Sequence, residues 1–259
     1  MTYYPGLGPA YIVLYFFVFV TGAAVGSFLN VVAYRLPRQL SFVKGRSFCP
    51  DCRRQLSPWD MLPILSWLLL RGRCRYCGAR VSPRYPLVEA LTGLLAMAAF
   101  AVYGPSWTAL AVFALIAGLT ALAFIDLDTM EIPNGLLIYL CLPSLALVFL
   151  LPGFSLLSHL IGFFAVSLPL FLIALLVSGA FGGGDIKLMA VCGGALGWQL
   201  ILLAFFAALL IGGVQSVYIL LTRKNGLKQQ FAFGPALAAG VILSVLIGTD
   251  VIKWYVNLF

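Results

Sequence analysis

Long apolar runs follow one another along most of this chain, separated by short polar or glycine-containing stretches; only residues 35–85 break the rhythm. Runs of about 18 residues or more are long enough to cross a bilayer as helices. They do not alternate as barrel strands would, and lipid offers no partner for unpaired backbone groups, so an all-α polytopic membrane protein is expected. The pattern predicts about eight transmembrane helices, near 9–34, 86–103, 107–125, 135–152, 157–179, 186–199, 200–221 and 231–249. The sixth is short and begins in a glycine run. The opening "MTYYPGLGPAY" has no Lys or Arg, and the apolar run behind it continues to Tyr34, so a retained first helix is expected rather than a cleaved signal peptide. The expected organisation is a first transmembrane helix over 1–34, a basic loop domain over 35–85, and a helical core over 86–259.

Composition agrees: 63% of the 259 residues are hydrophobic and 9% are charged, too few charges to cover a soluble domain. Charge adds orientation. The net charge is +8, and 11 of the 16 basic residues lie between Arg35 and Arg84. Basic residues confined to a loop between spans mark a cytoplasmic loop, with anionic lipid headgroups rather than nucleic acid as the partner. With that loop inside, eight spans place 126–134, 180–187 and 222–230 on the same side and both termini outside. Arg223, Lys224 and Lys228 fit this arrangement. Asp126, Asp128, Glu131 and Asp185 then share the cytoplasmic face.

Within the basic loop, Cys49-Pro-Asp-Cys52 and Cys74-Arg-Tyr-Cys77 form two C-x-x-C pairs with 21 residues between them. A reducing cytosol disfavours disulfides, and four thiolates at this spacing suit a tetrahedral four-cysteine zinc site. Such a site is closed to water, so a structural zinc is expected. Cys141 and Cys192 lie in apolar runs as small fillers.

Eight acidic residues exist, and several fall where lipid should exclude them. An intramembrane carboxylate is a functional candidate. "FIDLDTMEIPN" puts Asp126 at the end of one helix, and "GGGDIKL" puts Asp185 at the start of another. The only histidine, His159, is expected near an outside turn. There is no H-E-x-x-H, and Lys187 follows the glycines without P-loop spacing. A pair of aspartates remains, able to cleave an amide if one activates water while the other protonates the carbonyl oxygen. Two readings of the glycine run stand. Gly182, Gly183 and Gly184 let a substrate strand approach and give Asp185 an unusual backbone angle, or they end one helix and Asp185 caps the next. In the first helix, Gly22, Gly26 and Asn30 recur at intervals of four, as a close-packing seam does. Ser27 and Asn30 could instead line a wet site.

Taken together, "GSFLNVVAYRLP", the two C-x-x-C pairs, "LSWLLLRGRCRYC", "RYPLVE", "FIDLDTMEIPN", "GGGDIKL" and "FGPALAAG" resemble the bifunctional type IV prepilin peptidase/N-methyltransferase family of bacteria, which are GxGD-type membrane aspartic proteases. The resemblance runs nearly end to end. It implies catalytic roles for Asp126 and Asp185, prepilin or pseudopilin substrates cleaved at the cytoplasmic face of the inner membrane, and methylation of the new N-terminus with S-adenosylmethionine. It associates the cysteine loop with methyl transfer, and Gly72 matches a glycine there. Asn134 departs from the family, where many relatives carry Asp. Glu89 is a candidate for orienting an amine, or a paired interfacial charge. Lys187, pointing away from the face of Asp185, is expected to position substrate or lipid phosphate. Asp128 and Glu131 are expected to support or to be solvated, and Asp250 to be a solvated end residue. Competing classes are an ion- or proton-coupled transporter with a zinc-stabilised loop, and a GxGD protease without methyltransferase activity. Buried carboxylates and a broken helix suit transport, but only one break and no two-half repeat is visible.

Overall fold

A computed structural model describes residues 9–151, 155–177, 181–222 and 232–258. Among these the protein is helical, with no strand beyond two isolated bridges, Phe48 to Gln55 and Arg73 to Arg80. It divides into two compact units, Met1–Ala109 and Leu110–Phe259.

The first unit is built on α1 (Pro9–Arg35) and α3 (Arg84–Tyr103), with a 3-10 turn at Pro58–Met61 and the short α2 (Leu65–Leu69) in the segment between them. The small-residue stripe of α1 is the seam against α3. A side chain at Gly22 would meet Ala96 at 2.6 Å, and one at Gly26 would meet the Glu89 backbone at 2.8 Å. Asn30 continues the stripe by donating from Nδ2 to the Tyr85 carbonyl at 3.2 Å. The helix expected to open the core over 86–259 thus packs within the first unit. Beyond α1, the buried Arg35 guanidinium donates to the carbonyls of Ser41, Lys44 and Arg46 at 2.9–3.1 Å, folding the loop around the helix end.

The second unit holds α4 (Trp107–Thr129, of which residues 107–109 belong to the first unit), α5 (Asn134–Leu150), α6 (Leu156–Ala165), α7 (Ser167–Leu176), α8 (Gly183–Leu196), α9 (Trp198–Thr222) and α10 (Gly234–Val256). Its core is α4 and α8. Val112, Leu115, Ile116, Leu119, Leu122 and Ile125 on α4, and Leu188, Met189, Cys192, Ala195 and Leu196 on α8, are fully enclosed. Glycines permit the close crossings. A Cβ on Gly193 of α8 would strike the Gly162 carbonyl of α6, and one on Gly240 of α10 would strike the Ala204 carbonyl of α9.

Among the described residues six stretches are long and apolar enough to span a membrane, counting α6 and α7 as one. The other two expected spans are shorter, 17 residues for α5 and 14 for α8. The fifth predicted helix is interrupted at Val166 because Pro169 offers no amide hydrogen to Ala165 and its ring crowds that carbonyl. His159, expected near a turn, lies close to the start of α6 and is enclosed there: it is 4% exposed, with Nδ1 3.0 Å from the Gly194 carbonyl. The Gly162–Gly193 crossing brings α8 close enough to enclose it. Arg223, Lys224 and Lys228 lie outside the described residues.

Candidate active site and metal centre

In the second unit two helix ends carry the acids. Asp126 sits in the last turn of α4 and is 5% exposed. The helix ends three residues on, at Thr129; the next residue, Met130, has φ +55° and its amide returns to the Asp126 carbonyl at 2.8 Å. A carboxylate gains nothing from the negative end of its own helix. It is compensated by another: the Gly234 amide, opening α10, donates to Asp126 Oδ2 at 2.9 Å. Pro235 follows, fixing the first turn without needing a hydrogen-bond partner. A Cβ on Gly234 would lie 2.6 Å from Asp126 Oδ2, so this approach requires glycine. Sequence reasoning quoted "FGPALAAG" but gave Gly234 no place at the site. The contact spans 108 residues, and only the fold reveals it.

Asp185 occupies the first turn of α8, at a positive helix end. Gly182 is the residue preceding the helix, in extended conformation, and accepts from the Asp185 amide at 3.1 Å. The second glycine reading is therefore the nearer one, with Gly182 rather than Asp185 at the cap. The unusual backbone angle is absent: Asp185 is helical, and neither it nor the described glycines before it has positive φ. The glycines serve approach instead. A Cβ on Gly184 would meet Ile132 at 2.7 Å, while Gly183 faces open space. Lys187 donates from Nζ to Asn134 Oδ1 at 3.1 Å. Gly184 and Lys187 thus fasten α8 to the Ile132-Pro133-Asn134 turn that follows Asp126, and the rings of Phe181 and Phe233 meet at 6.2 Å. The result brings Asp185 within electrostatic reach of Asp126. Asp128 and Glu131 are exposed.

In the first unit the two C-x-x-C pairs fold as copies of one hairpin. The Cys49 amide donates to the Arg54 carbonyl, and the Arg53 amide returns to the Cys49 carbonyl. Cys74, Ala79 and Gly78 repeat the pattern. The fifth residue of each turn has positive φ, +57° at Arg53 and +73° at Gly78. All four Sγ atoms lie within 4.8 Å of one another, and Cys49 and Cys77 are 3.9 Å apart. Tetrahedral zinc at about 2.3 Å from each sulfur requires sulfurs about 3.8 Å apart; Cys49 and Cys77 already meet this, and no pair exceeds it by more than about 1 Å, so the four thiols could close on such an ion.

Side chains tie the hairpins together. Asp60 accepts from Arg75 Nε at 2.6 Å, from the Tyr76 hydroxyl at 3.2 Å, and from the Ser57 hydroxyl and amide at 2.8 and 3.1 Å. Burial would raise its pKa, but Arg75 and Ser57 together outweigh burial and hold the carboxyl below the usual range. The Arg54 guanidinium lies over the Tyr76 ring at 4.4 Å. Gly72 has φ +66°, and a Cβ there would press on the Trp67 ring at 2.9 Å. Glu89, buried on α3, accepts from the Ile64 amide at 2.7 Å and from Ser27. Its partners are thus uncharged donors, where an interfacial charge pair was one expectation.

The fold and these sites define a multi-pass all-α membrane protein with a four-cysteine cluster that could hold a metal ion in one unit and two interacting aspartates at helix ends in the other. The family model described as Bacterial Peptidase A24 N-terminal domain matches residues 20–103, and that of the Type IV leader peptidase family matches 113–217. The prepilin leader peptidase/N-methyltransferase of Bacillus subtilis is 40% identical over 242 residues, covering 93% of this chain and 97% of that protein. The proteins of the same name from Aeromonas hydrophila and Neisseria gonorrhoeae are 37% and 36% identical, covering 95% and 84% of this chain and 95% and 85% of their own lengths. No solved structure matches the chain. The chain belongs to the prepilin leader peptidase/N-methyltransferase family.

Proposed function

We propose that this protein is a membrane aspartic endopeptidase that removes the leader of type IV prepilins or pseudopilins and then methylates the new N-terminus with S-adenosylmethionine. The observation that carries the peptidase reading is the clamp of the Gly234 amide on Asp126 with Asp185 in electrostatic reach. One aspartate removes a proton from water as it attacks the scissile carbonyl carbon, and the other protonates the carbonyl oxygen. When the tetrahedral species collapses the C–N bond breaks and the nitrogen takes a proton from the dyad. Gly183, with open space above it, offers backbone room for the substrate strand. Lys187 and Asn134 hold the Asp185 helix in place, and Gly182 and Gly184 permit its approach.

Methylation belongs to the first unit in this reading, with the 35–85 segment as its centre and the second unit as the protease core. Zinc bound by Cys49, Cys52, Cys74 and Cys77 would supply a rigid crosslink between the hairpins, and Gly72 keeps the Trp67 ring seated between them. The amine lone pair forms the new N–CH3 bond as the S–CH3 bond breaks, the electron pair stays on sulfur, and the ammonium formed loses a proton to solvent. The basic loop and both aspartates lie at the cytoplasmic face of the inner membrane, where the loop's arginines meet anionic lipid headgroups.

The test is purified protein with a prepilin and methyl-labelled S-adenosylmethionine, following leader release and label on the mature N-terminus. Both are expected. Release without label would leave a peptidase alone, and failure to release the leader would overturn the reading.

A further inference from the structure

The peptidase reading leaves one cavity of the first unit without a task. It measures about 430 Å³ and lies among α1, α3 and the cysteine hairpins; Glu89 is in its wall on the α3 side, and Arg35, Arg73, Arg75 and Arg80 line it as well. That volume falls within the roughly 300–1,000 Å³ typical of small-molecule sites.

Its chemistry is selective. Glu89 is 8% exposed and its hydrogen-bond partners are uncharged; of the arginines in the wall, Arg35 is bound to the carbonyls of Ser41, Lys44 and Arg46, Arg75 pairs with Asp60, and the exposed Arg73 and Arg80 suit the carboxylate of an amino-acid ligand. The Ile64 amide and Ser27 use part of its accepting capacity, since a carboxylate offers about four lone-pair sites. A buried charge left without a counterion is costly. Four aromatic residues, Tyr34, Phe48, Trp67 and Tyr85, share the wall. The ring of Trp67 is fixed by its Nε1–H bond to the Val81 carbonyl at 3.0 Å and by Gly72 behind it. A carboxylate beside fixed aromatic faces suits a ligand whose positive charge is spread over an apolar group, as on a sulfonium, because ring faces attract such cations. The Ile64 amide that meets Glu89 belongs to a residue with φ +62°, an uncommon conformation for a β-branched side chain, so the segment is shaped around this carboxylate.

We propose that this cavity is the methyl-donor site and that Glu89 holds the sulfonium of S-adenosylmethionine. The proposal rests on the methyltransferase reading. Its test compares binding of S-adenosylmethionine with that of S-adenosylhomocysteine, which lacks the methyl group and the charge, by calorimetry on the intact zinc-loaded protein in detergent. Wild type should prefer the sulfonium form about tenfold, equivalent to about 1.4 kcal/mol. Glu89→Gln keeps an oxygen for the Ile64 amide and should bring the ratio close to one, with homocysteine-form affinity within about twofold. Glu89→Asp should restore part of the preference. Zinc content and leader release report whether each variant is folded.

An independent arm uses wild type alone. An azido-adenosyl analogue of the donor, activated by light, should label peptides within residues 27–35 or 64–89. Label elsewhere overturns the site, as does a preference unchanged in Glu89→Gln. If Glu89→Gln instead weakens only binding of a mature pilin peptide, the residue receives the amine and the sulfonium assignment is wrong. Wild type that binds neither donor form and transfers no methyl group would bring down the methyltransferase reading itself, an outcome distinct from methyl transfer that survives without Glu89.

Discussion

Asp126 and Asp185 differ in how they are held, and substitutions should expose this. Asp126 is fixed by the Gly234 amide from another helix, while Asp185 is fixed by the local turn at Gly182. Asp126→Asn and Asp185→Asn should each abolish leader release in folded, inserted protein. The double variant should be no worse than either single one, because groups acting as one unit are non-additive. Processing assays across a pH series decide it, and release by both single variants would refute the aspartic mechanism. Asp128 is exposed, so Asp128→Asn should stay within roughly a factor of ten, about 1.4 kcal/mol of barrier. Outside the membrane, Asp60 has a pH signature. Its carboxyl is held below the ordinary range, so its contribution to the hairpins is complete above that range and fades as pH falls through the lowered value. Asp60→Ala should cost about 1 kcal/mol by stranding the part-buried Ser57 amide, while the half-exposed Arg75 turns to water. Loss of hydrogen-exchange protection at Ser57, already evident at pH 6, is the expected sign; unchanged protection would make the network incidental.

At the scale of elements, the features legible in the sequence were those that a single local constraint imposes. Four thiolates around one ion require two short C-x-x-C turns, and both fold as duplicated hairpins. Gly22, Gly26 and Asn30 follow helical spacing, and that seam formed against α3. Features created by crossings were not legible. The enclosure of His159 is one of them, since it depends on Gly162 and Gly193 bringing α6 and α8 into backbone contact. Gly234 reads as a helix start until Asp126, far away in sequence, arrives beneath it. Pro169 was available as a signal for the break at Val166, but an unbroken apolar run outweighed it. The short α8 follows from the same logic: it is enclosed by neighbouring helices and its role is to present Asp185, so it has no need of full bilayer length. Gly184→Val tests this positioning. The added atoms would overlap Ile132, where a Cβ alone already lies at 2.7 Å, and α8 would have to move away from the Pro133 turn. Leader release should fall by roughly a hundredfold, since a 1 Å misplacement can cost that much. Methyl transfer to a supplied mature pilin should persist. Unaltered release would mean that this contact does not set the position of Asp185.

Across the whole molecule, the two family matches fall one within each compact unit, 20–103 and 113–217. Each unit has its own organising device. In the first it is the cysteine cluster with Asp60 and Gly72 around it, and in the second the buried pair of α4 and α8. Removing metal should therefore separate the activities. Structural zinc sites contribute about 10–16 kcal/mol of apparent binding free energy, which small metal-held segments draw on to fold. Without zinc the hairpins retain the Asp60 network and the Arg54–Tyr76 contact, but four adjacent thiols no longer hold them in register. A strong chelator, or Cys52→Ser with Cys77→Ser, should open residues 35–85 to proteolysis. Methylation should then drop at least about tenfold, while leader release changes by less than about twofold. Zinc added back to the chelated protein should restore methylation, and added magnesium should not, because thiolates select the softer ion. Mass spectrometry of mature pilin reads both activities in one sample: unmethylated mature chains are the expected product after chelation. Uncleaved prepilin in their place would show that the cysteine hairpins support the peptidase as well, and the division of labour between the two units would be wrong.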